Sequence, residues 1–131
     1  PRPLRSKLHP WGYPWLAGVR KTVTDKANVL TRFALDVAEL CGTAGVAFMI
    51  EHPEDLGTYK TGARPASIWQ LPEVRSLSQR FGVVRRVLHQ RHWGAASPKP
   101  TAFIATFPLH GDLGGLKGAR YSMLKGSTKV L

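Results

Sequence analysis

The sequence predicts an α/β protein in which helices cover the faces of a mostly parallel sheet. Two observations support this class. Residues 46–50 form an apolar run without a polar side chain, which is typical of a strand buried on both faces. Helical apolar patterns alternate with such runs along the chain, and this alternation favours parallel pairing. Glu51 follows the first run, at a strand end, where open α/β sheets place their ligand crevices.

The length and composition indicate one folded domain. The chain has 131 residues, 43% of them hydrophobic, which is enough for a single core. No apolar run approaches the roughly 20 residues that span a bilayer, so we expect no membrane span. Cys41 is the single cysteine, which excludes an internal disulfide and predicts an intracellular, reducing compartment without distinguishing nucleus from organelle.

Positive charge is the strongest signal in the composition. The chain has 19 lysines and arginines against 8 carboxylates, a net charge of +11, and residues 74–111 contain no carboxylate. This excess predicts a polyanionic partner, and we expect nucleic acid, DNA in preference to RNA. The cations expected to contact it are Arg75, Arg80, Arg85, Arg86, Arg91 and Lys99. The alternative is a small basic subunit that stabilises a large RNA-rich or multi-protein assembly.

The pattern along the chain divides it into three parts. Residues 1–23 contain four prolines and two tryptophans without periodicity, and they predict an extended basic and aromatic arm that docks on the body. Residues 24–107 form the predicted α/β core. Residues 108–131 form a glycine-rich, basic and irregular tail.

The predicted core begins with an amphipathic helix. Thr24 and Asp25 suit its N-terminus, and Gly42 is expected to end it in the left-handed conformation. Its apolar positions recur at three- and four-residue spacing, and we expect them to face the core. They are Val29, Leu30, Phe33, Val37, Leu40 and Cys41.

The first strand is predicted over residues 46–51, and the alternation then repeats. A short turn capped by Ser67 leads to a helix from Pro72 to Gly82. Two further strands are predicted, over residues 83–89 and 101–107.

Three short motifs follow one another between residues 25 and 107. The first is Glu51-His52-Pro53, at the end of the strand that follows the first helix. The others are Phe81-Gly82, before the second strand, and Lys99-Pro100-Thr101, at the start of the third. In this order they resemble the C-terminal part of the catalytic core of cytosine-5 DNA methyltransferases, in the phage and mobile-element branch. The resemblance implies a partial Rossmann-like methyltransferase sheet and an origin in a mobile element.

The resemblance implies a role for Glu51. In the family, the glutamate at this strand end hydrogen-bonds the Watson–Crick edge of a flipped cytosine. The alternative is a strand-end carboxylate that makes a helix-cap or salt-bridge contact. The stretch that corresponds to the family's Pro-Cys nucleophile loop contains no cysteine, and Cys41 lies on an apolar helix stripe.

The glycine turn that holds S-adenosylmethionine in the family also has no counterpart here. We therefore expect no cofactor in this chain, and S-adenosylmethionine only where a missing upstream half is supplied. The chain begins with Pro1, so we treat it as a processed product or a piece of a longer protein. Catalysis is left open, and none is expected from this chain alone.

Other chemistries have less support. His89, His92 and His110 have no cysteine partners, so we predict no metal site. The glycine-rich stretch 111–118 lacks the Gly-Lys-Ser/Thr ending of a phosphate loop, and we expect no small-molecule ligand. The sequence thus predicts a catalytically incomplete DNA-methyltransferase-like fragment with a basic surface that faces nucleic acid.

Overall fold

The computed structural model describes residues 2–55, 65–97 and 99–109. The elements, in chain order, are helix α1 (Gly18–Thr43), strand β1 (Met49–Pro53), a 3₁₀ turn (Ile68–Gln70), helix α2 (Pro72–Phe81), strand β2 (Val84–His89), a second 3₁₀ turn (Gln90–Trp93) and strand β3 (Pro100–Ala105). The order of helices and strands is the predicted one. Of the predicted tail, residues 108 and 109 lie within the described ranges.

The sheet is antiparallel, and the predicted mostly parallel, Rossmann-like sheet is therefore wrong. The strands lie in the order β1-β3-β2, and β3 pairs antiparallel with both neighbours. β1 and β2 run in the same direction but do not pair with each other. The connection over residues 90–99 is shorter than the dozen or so residues that a parallel crossover needs, so the chain returns from β2 as an antiparallel strand.

β1 is exposed on one face, so the predicted burial on both faces is also wrong. Met49, Glu51 and Pro53 are exposed, whereas Ile50 and His52 are partly buried. This alternation is typical of an antiparallel sheet that packs on one face. The apolar run misled the prediction because its first three residues, 46–48, precede the strand.

The core lies between one face of the sheet and the two helices. It comprises Ala38, Phe48, Leu71, Val74, Leu77, Val83 and Ile104. Val74, Val83 and Ile104 are almost completely buried, and each contributes roughly 1.5–3 kcal/mol to folding. The prediction of α2 is confirmed: Pro72 occupies its first turn, and Gly82 follows it with a left-handed φ of 60°.

α1 presents a different face to the core than the sequence predicts. The helix begins at Gly18, so Asp25 lies inside it, paired with Lys21, and does not cap its N-terminus. Thr24 and Ala38 are its buried residues. Five of the six side chains predicted to be in the core are exposed, namely Val29, Leu30, Phe33, Val37 and Leu40, and Cys41 is partly buried.

The C-terminal end of α1 also differs from the prediction. Gly42 does not end the helix, which continues to Thr43. A Cβ atom at residue 42 would lie 2.7 Å from three carbon atoms of the Phe81 ring. A side chain at residue 42 would therefore displace the Phe81 ring, because α1 and α2 approach each other closely there. Gly45, three residues later, adopts the left-handed conformation with a φ of 71°.

The N-terminal segment packs along α1. The Arg5 guanidinium donates a hydrogen bond to the Thr24 carbonyl at 3.1 Å, and its burial lowers its pKa from the usual value. The Asn28 side-chain amide donates to the Trp11 carbonyl at 2.6 Å, and the Arg32 guanidinium lies 4.2 Å from the Trp11 ring centroid. Within the described ranges, no helix is long and apolar enough to cross a membrane.

Candidate nucleic-acid interface

Glu51 lies in the middle of β1, on the face of the sheet opposite Ile104 and the core. The predicted location at the end of the strand is wrong, because β1 continues to Pro53. The Glu51 side chain is exposed, and it forms no hydrogen bond or ion pair with the described residues. The alternative prediction was a helix-cap or salt-bridge contact. Glu51 has no partner for such a contact within the described ranges.

Glu51 belongs to a row of three side chains across the face of the sheet that lies opposite the core. Phe103 of β3 is the register partner of both Glu51 and Arg86. Register partners project on the same face, and two strand spacings separate the Cα atoms of Glu51 and Arg86 by about 10 Å. The Arg86 Nε donates to the Leu109 carbonyl at 3.0 Å. The row therefore presents a carboxylate, an aromatic ring and a guanidinium group.

Arg85 projects from the opposite face of the sheet, towards the interior. It forms an ion pair with Glu54, and the two side chains are 13% and 8% exposed. Its guanidinium carbon lies 5.5 Å from the centroid of the Trp69 ring, whose Nε1 donates to the Pro53 carbonyl at 2.9 Å. Because neighbouring residues of a strand point to opposite faces, Arg85 and Arg86 cannot belong to one surface. Arg85 therefore has a structural role.

Two predicted contact residues lie on α2. Arg80 forms an ion pair with Glu39 of α1, and its guanidinium lies 5.1 Å from the Phe81 ring centroid. This side chain links the two helices. Arg75 is exposed and has no ion-pair partner among the described residues.

Arg91 and Lys99 flank the connection between β2 and β3. A backbone hydrogen bond of 3.4 Å from Gln90 to Lys99 closes this connection, and the Gln90 side-chain amide donates to Thr101 Oγ1 at 3.0 Å. Both cations are exposed, and neither has an ion-pair partner in the part of the chain that the structure describes. The fold therefore brings two predicted contact residues together at one end of the sheet.

The described residues contain no group of three or more metal-ligating side chains. Two regions weighed in the sequence analysis, His110 and the glycine-rich stretch 111–118, lie outside the described residues.

Glu54 and Trp69 are the partners of Arg85 that the sequence analysis missed. The separation of Glu54 from Arg85 by 31 residues left no local spacing that could reveal the pair. The available signal was the pair of adjacent basic residues, Arg85 and Arg86, in the middle of the strand. Neighbouring residues point to opposite faces, so one of the two charges had to face the buried side and needed a partner.

Comparisons of the chain with models of known protein families, with curated proteins and with solved structures found no match. The likeness to cytosine-5 methyltransferases therefore depends on the sequence motifs alone.

Proposed function

We propose that this chain is a methyltransferase-like fragment that binds DNA through the face of its sheet that carries Glu51 and does not transfer methyl groups by itself. The observation that supports this best is the row of Glu51, Phe103 and Arg86, in which Glu51 is exposed and the other two side chains are partly buried. Arg91 and Lys99 are exposed in the connection that joins the end of β2 to the start of β3. Aromatic, acidic and basic groups of this kind are the ones that proteins use to contact single-stranded nucleic acid.

The charge distribution supports a polyanionic partner. The carboxylates of Asp25, Glu39 and Glu54 are engaged in ion pairs with neighbouring cations. The exposed cations Arg91 and Lys99 are thus available for phosphate groups, which attract lysine and arginine irrespective of base sequence.

The row of Glu51, Phe103 and Arg86 has the chemistry to contact an unpaired base. An aromatic ring such as Phe103 offers a surface for stacking, worth about 1–3 kcal/mol per base. The Glu51 carboxylate accepts hydrogen bonds, and the cytosine amino group is a donor that matches it. A base within a duplex cannot stack on a side chain, so we expect a preference for single-stranded DNA.

The salt dependence of binding to a labelled single-stranded oligonucleotide tests the proposal. Each phosphate contact contributes about 0.7 to the slope of log affinity against log salt. The double substitution Arg91→Gln/Lys99→Gln should therefore make the slope shallower by about 1.4. The measurement is fluorescence anisotropy at several salt concentrations.

The matched control removes two cations that are already paired with carboxylates. Arg80→Gln/Lys21→Gln changes the net charge by the same amount and should leave the slope nearly unchanged. An affinity independent of salt, or an equal effect of both double variants, would contradict the proposed surface.

Glu51→Gln should keep the slope of log affinity against log salt but reduce the preference for cytosine-containing strands. Methyl transfer to DNA by the isolated chain would contradict the absence of catalysis.

The second candidate is a small basic subunit of a larger assembly. The exposed apolar face of α1 favours it, because such a face is usually covered in an assembled state. In that case the isolated chain should be poorly folded, and a cooperative thermal transition of the purified chain would argue against it.

A further inference from the structure

The outer face of α1 carries an apolar stripe along nearly the whole helix. We define the α1 stripe as Val19, Val23, Leu30, Phe33, Val37 and Leu40, all of which are exposed. With a rise of 1.5 Å per residue, the stripe is about 32 Å long. Leu30 and Phe33 are 69% and 65% exposed, so these are not the edges of partly buried side chains.

The spacing of the stripe is that of a helix that packs on another helix. Together with Lys26, its positions alternate in steps of four and three residues from 19 to 40. This is the heptad spacing of a coiled-coil seam. Lys26 is the one polar residue in the seam, and such a residue restricts pairing to the arrangement in which its charge finds a partner.

The distribution of charge along α1 selects the orientation of the partner helix. Arg20 and Lys26 lie in the first half of the helix and Asp36 lies in the second half, each without an ion-pair partner among the described residues. Arg32, close to the middle of the helix, lies over the Trp11 ring. Parallel pairing of two copies would place like charges together. Antiparallel pairing places the basic half of each copy beside the acidic half of the other.

The stripe is also nearly symmetric about Leu30. A two-fold axis at this residue places Val19 opposite Cys41, the neighbour of Leu40, and Val23 opposite Val37. Lys26 then lies opposite residue 34, within one helical turn of Asp36 in the other copy. A self-complementary surface of this kind is what an isologous two-fold interface requires.

From the spacing, the symmetry and the charges, we propose that the α1 stripe pairs with the same stripe of a second copy of this chain, as an antiparallel two-fold dimer. The proposal does not depend on nucleic-acid binding. A single helix face is small beside the roughly 800 Å² per partner of a standard interface. The dimer should therefore dissociate on dilution.

The first test measures the mass of the purified chain by analytical ultracentrifugation in a dilution series. We expect a species of twice 14.4 kDa that gives way to the monomer on dilution. Leu30→Glu should leave only the monomer, with helical circular dichroism retained because residue 30 is exposed in the monomer. Leu8→Glu is the matched control, because Leu8 is 86% exposed and lies outside α1, and it should dimerise like the unchanged chain.

The second test determines the orientation by oxidative cross-linking in a Cys41→Ser background. Leu30→Cys should form a covalent dimer because residue 30 lies at the two-fold axis, and Val19→Cys should not. Cross-linking of both variants would indicate parallel pairing and overturn the proposal. Three other outcomes would also overturn it: a monomer at every concentration, an equal effect of Leu30→Glu and Leu8→Glu, or the absence of cross-linking at residue 30. The α1 stripe would then be a surface that binds a different protein.

Discussion

The ion pair between Glu54 and Arg85 is the most consequential contact between two individual residues. Both side chains are nearly buried, and the Arg85 guanidinium also lies over Trp69. Two charges removed from water need each other, because a buried charge without its partner retains the full desolvation cost. The pair also connects the end of β1 to β2, two strands that do not hydrogen-bond to each other.

We expect Glu54→Gln to destabilise the protein by about 3 kcal/mol, since it leaves Arg85 buried beside a neutral group. Glu39→Gln is the matched control, because its partner Arg80 is about half exposed, and it should cost no more than about 1 kcal/mol. Urea unfolding followed by circular dichroism measures both. Equal losses for the two variants would show that the Arg85 side chain does not depend on Glu54.

Gly42 is a second position at which one residue controls the packing. Alanine is normally favoured over glycine in a helix by about 1 kcal/mol. At residue 42, however, the added methyl group would lie 2.7 Å from atoms of the Phe81 ring, well inside van der Waals contact.

The expected effect of Gly42→Ala is therefore a loss of about 1–3 kcal/mol, because overpacking outweighs the gain in helix propensity. In a Phe81→Leu background, which removes the ring, the same change should be neutral or stabilising. The free energies of unfolding of the four proteins test this. A stabilising Gly42→Ala in the unchanged background would show that the two helices separate without cost.

At the scale of elements, the N-terminal segment is held on α1 by a small number of contacts. Trp11 packs against the core cluster and lies under Arg32, whereas Trp15 is 70% exposed and stacks on Tyr13 at 4.6 Å. Two tryptophans four residues apart thus have different structural roles.

Trp11→Ala should release the segment. A loss of about 2 kcal/mol would raise the undocked population about 30-fold. Limited trypsin digestion should then cleave after Lys7 correspondingly faster. Trp15→Ala is the control and should digest like the unchanged chain. Equal acceleration by both variants would mean that the stack of Trp15 on Tyr13, and not Trp11, holds the segment.

At the scale of the whole molecule, the net charge of +11 opposes compaction. Three ion pairs among the described residues neutralise a minority of the cations. The remaining positive charges repel one another more strongly in the folded chain than in the expanded unfolded chain.

We therefore expect the melting temperature to rise as sodium chloride is added to a low-salt buffer, because salt shortens the range of this repulsion. Differential scanning calorimetry in a salt series measures the effect, and an uncharged solute at matched osmolality is the control. A melting temperature that falls with salt would indicate that the ion pairs contribute more to stability than the repulsion removes.

The elements that could be predicted from the sequence are those with local causes. α2 begins with Pro72 and is followed by Gly82 as its C-cap, as expected, because a fixed φ angle and a left-handed glycine act within a few residues. Ser67 accepts a hydrogen bond from the Trp69 amide, as its position before a short turn predicts. These features depend on the chain immediately around them.

The candidate site was predictable only in part. Arg91 and Lys99 are exposed, as the predicted contact with nucleic acid requires, but the prediction grouped Arg85 with Arg86 although strand geometry places them on opposite faces. Phe103 was absent from the predicted site because its place between Glu51 and Arg86 depends on the register of two distant strands.

The sequence by itself determined the order of the elements, the excess of positive charge and the amphipathic character of α1. Only the tertiary structure decided the direction of β3, the partners of Arg85 and which face of α1 lies against the core. The physical reason is that periodicity shows which side chains avoid water, but not which surface covers them. On α1, Ala38, Gly42 and the partly buried Leu35 face the body of the protein, where Gly42 allows close contact with α2, whereas most of the large apolar residues remain outside.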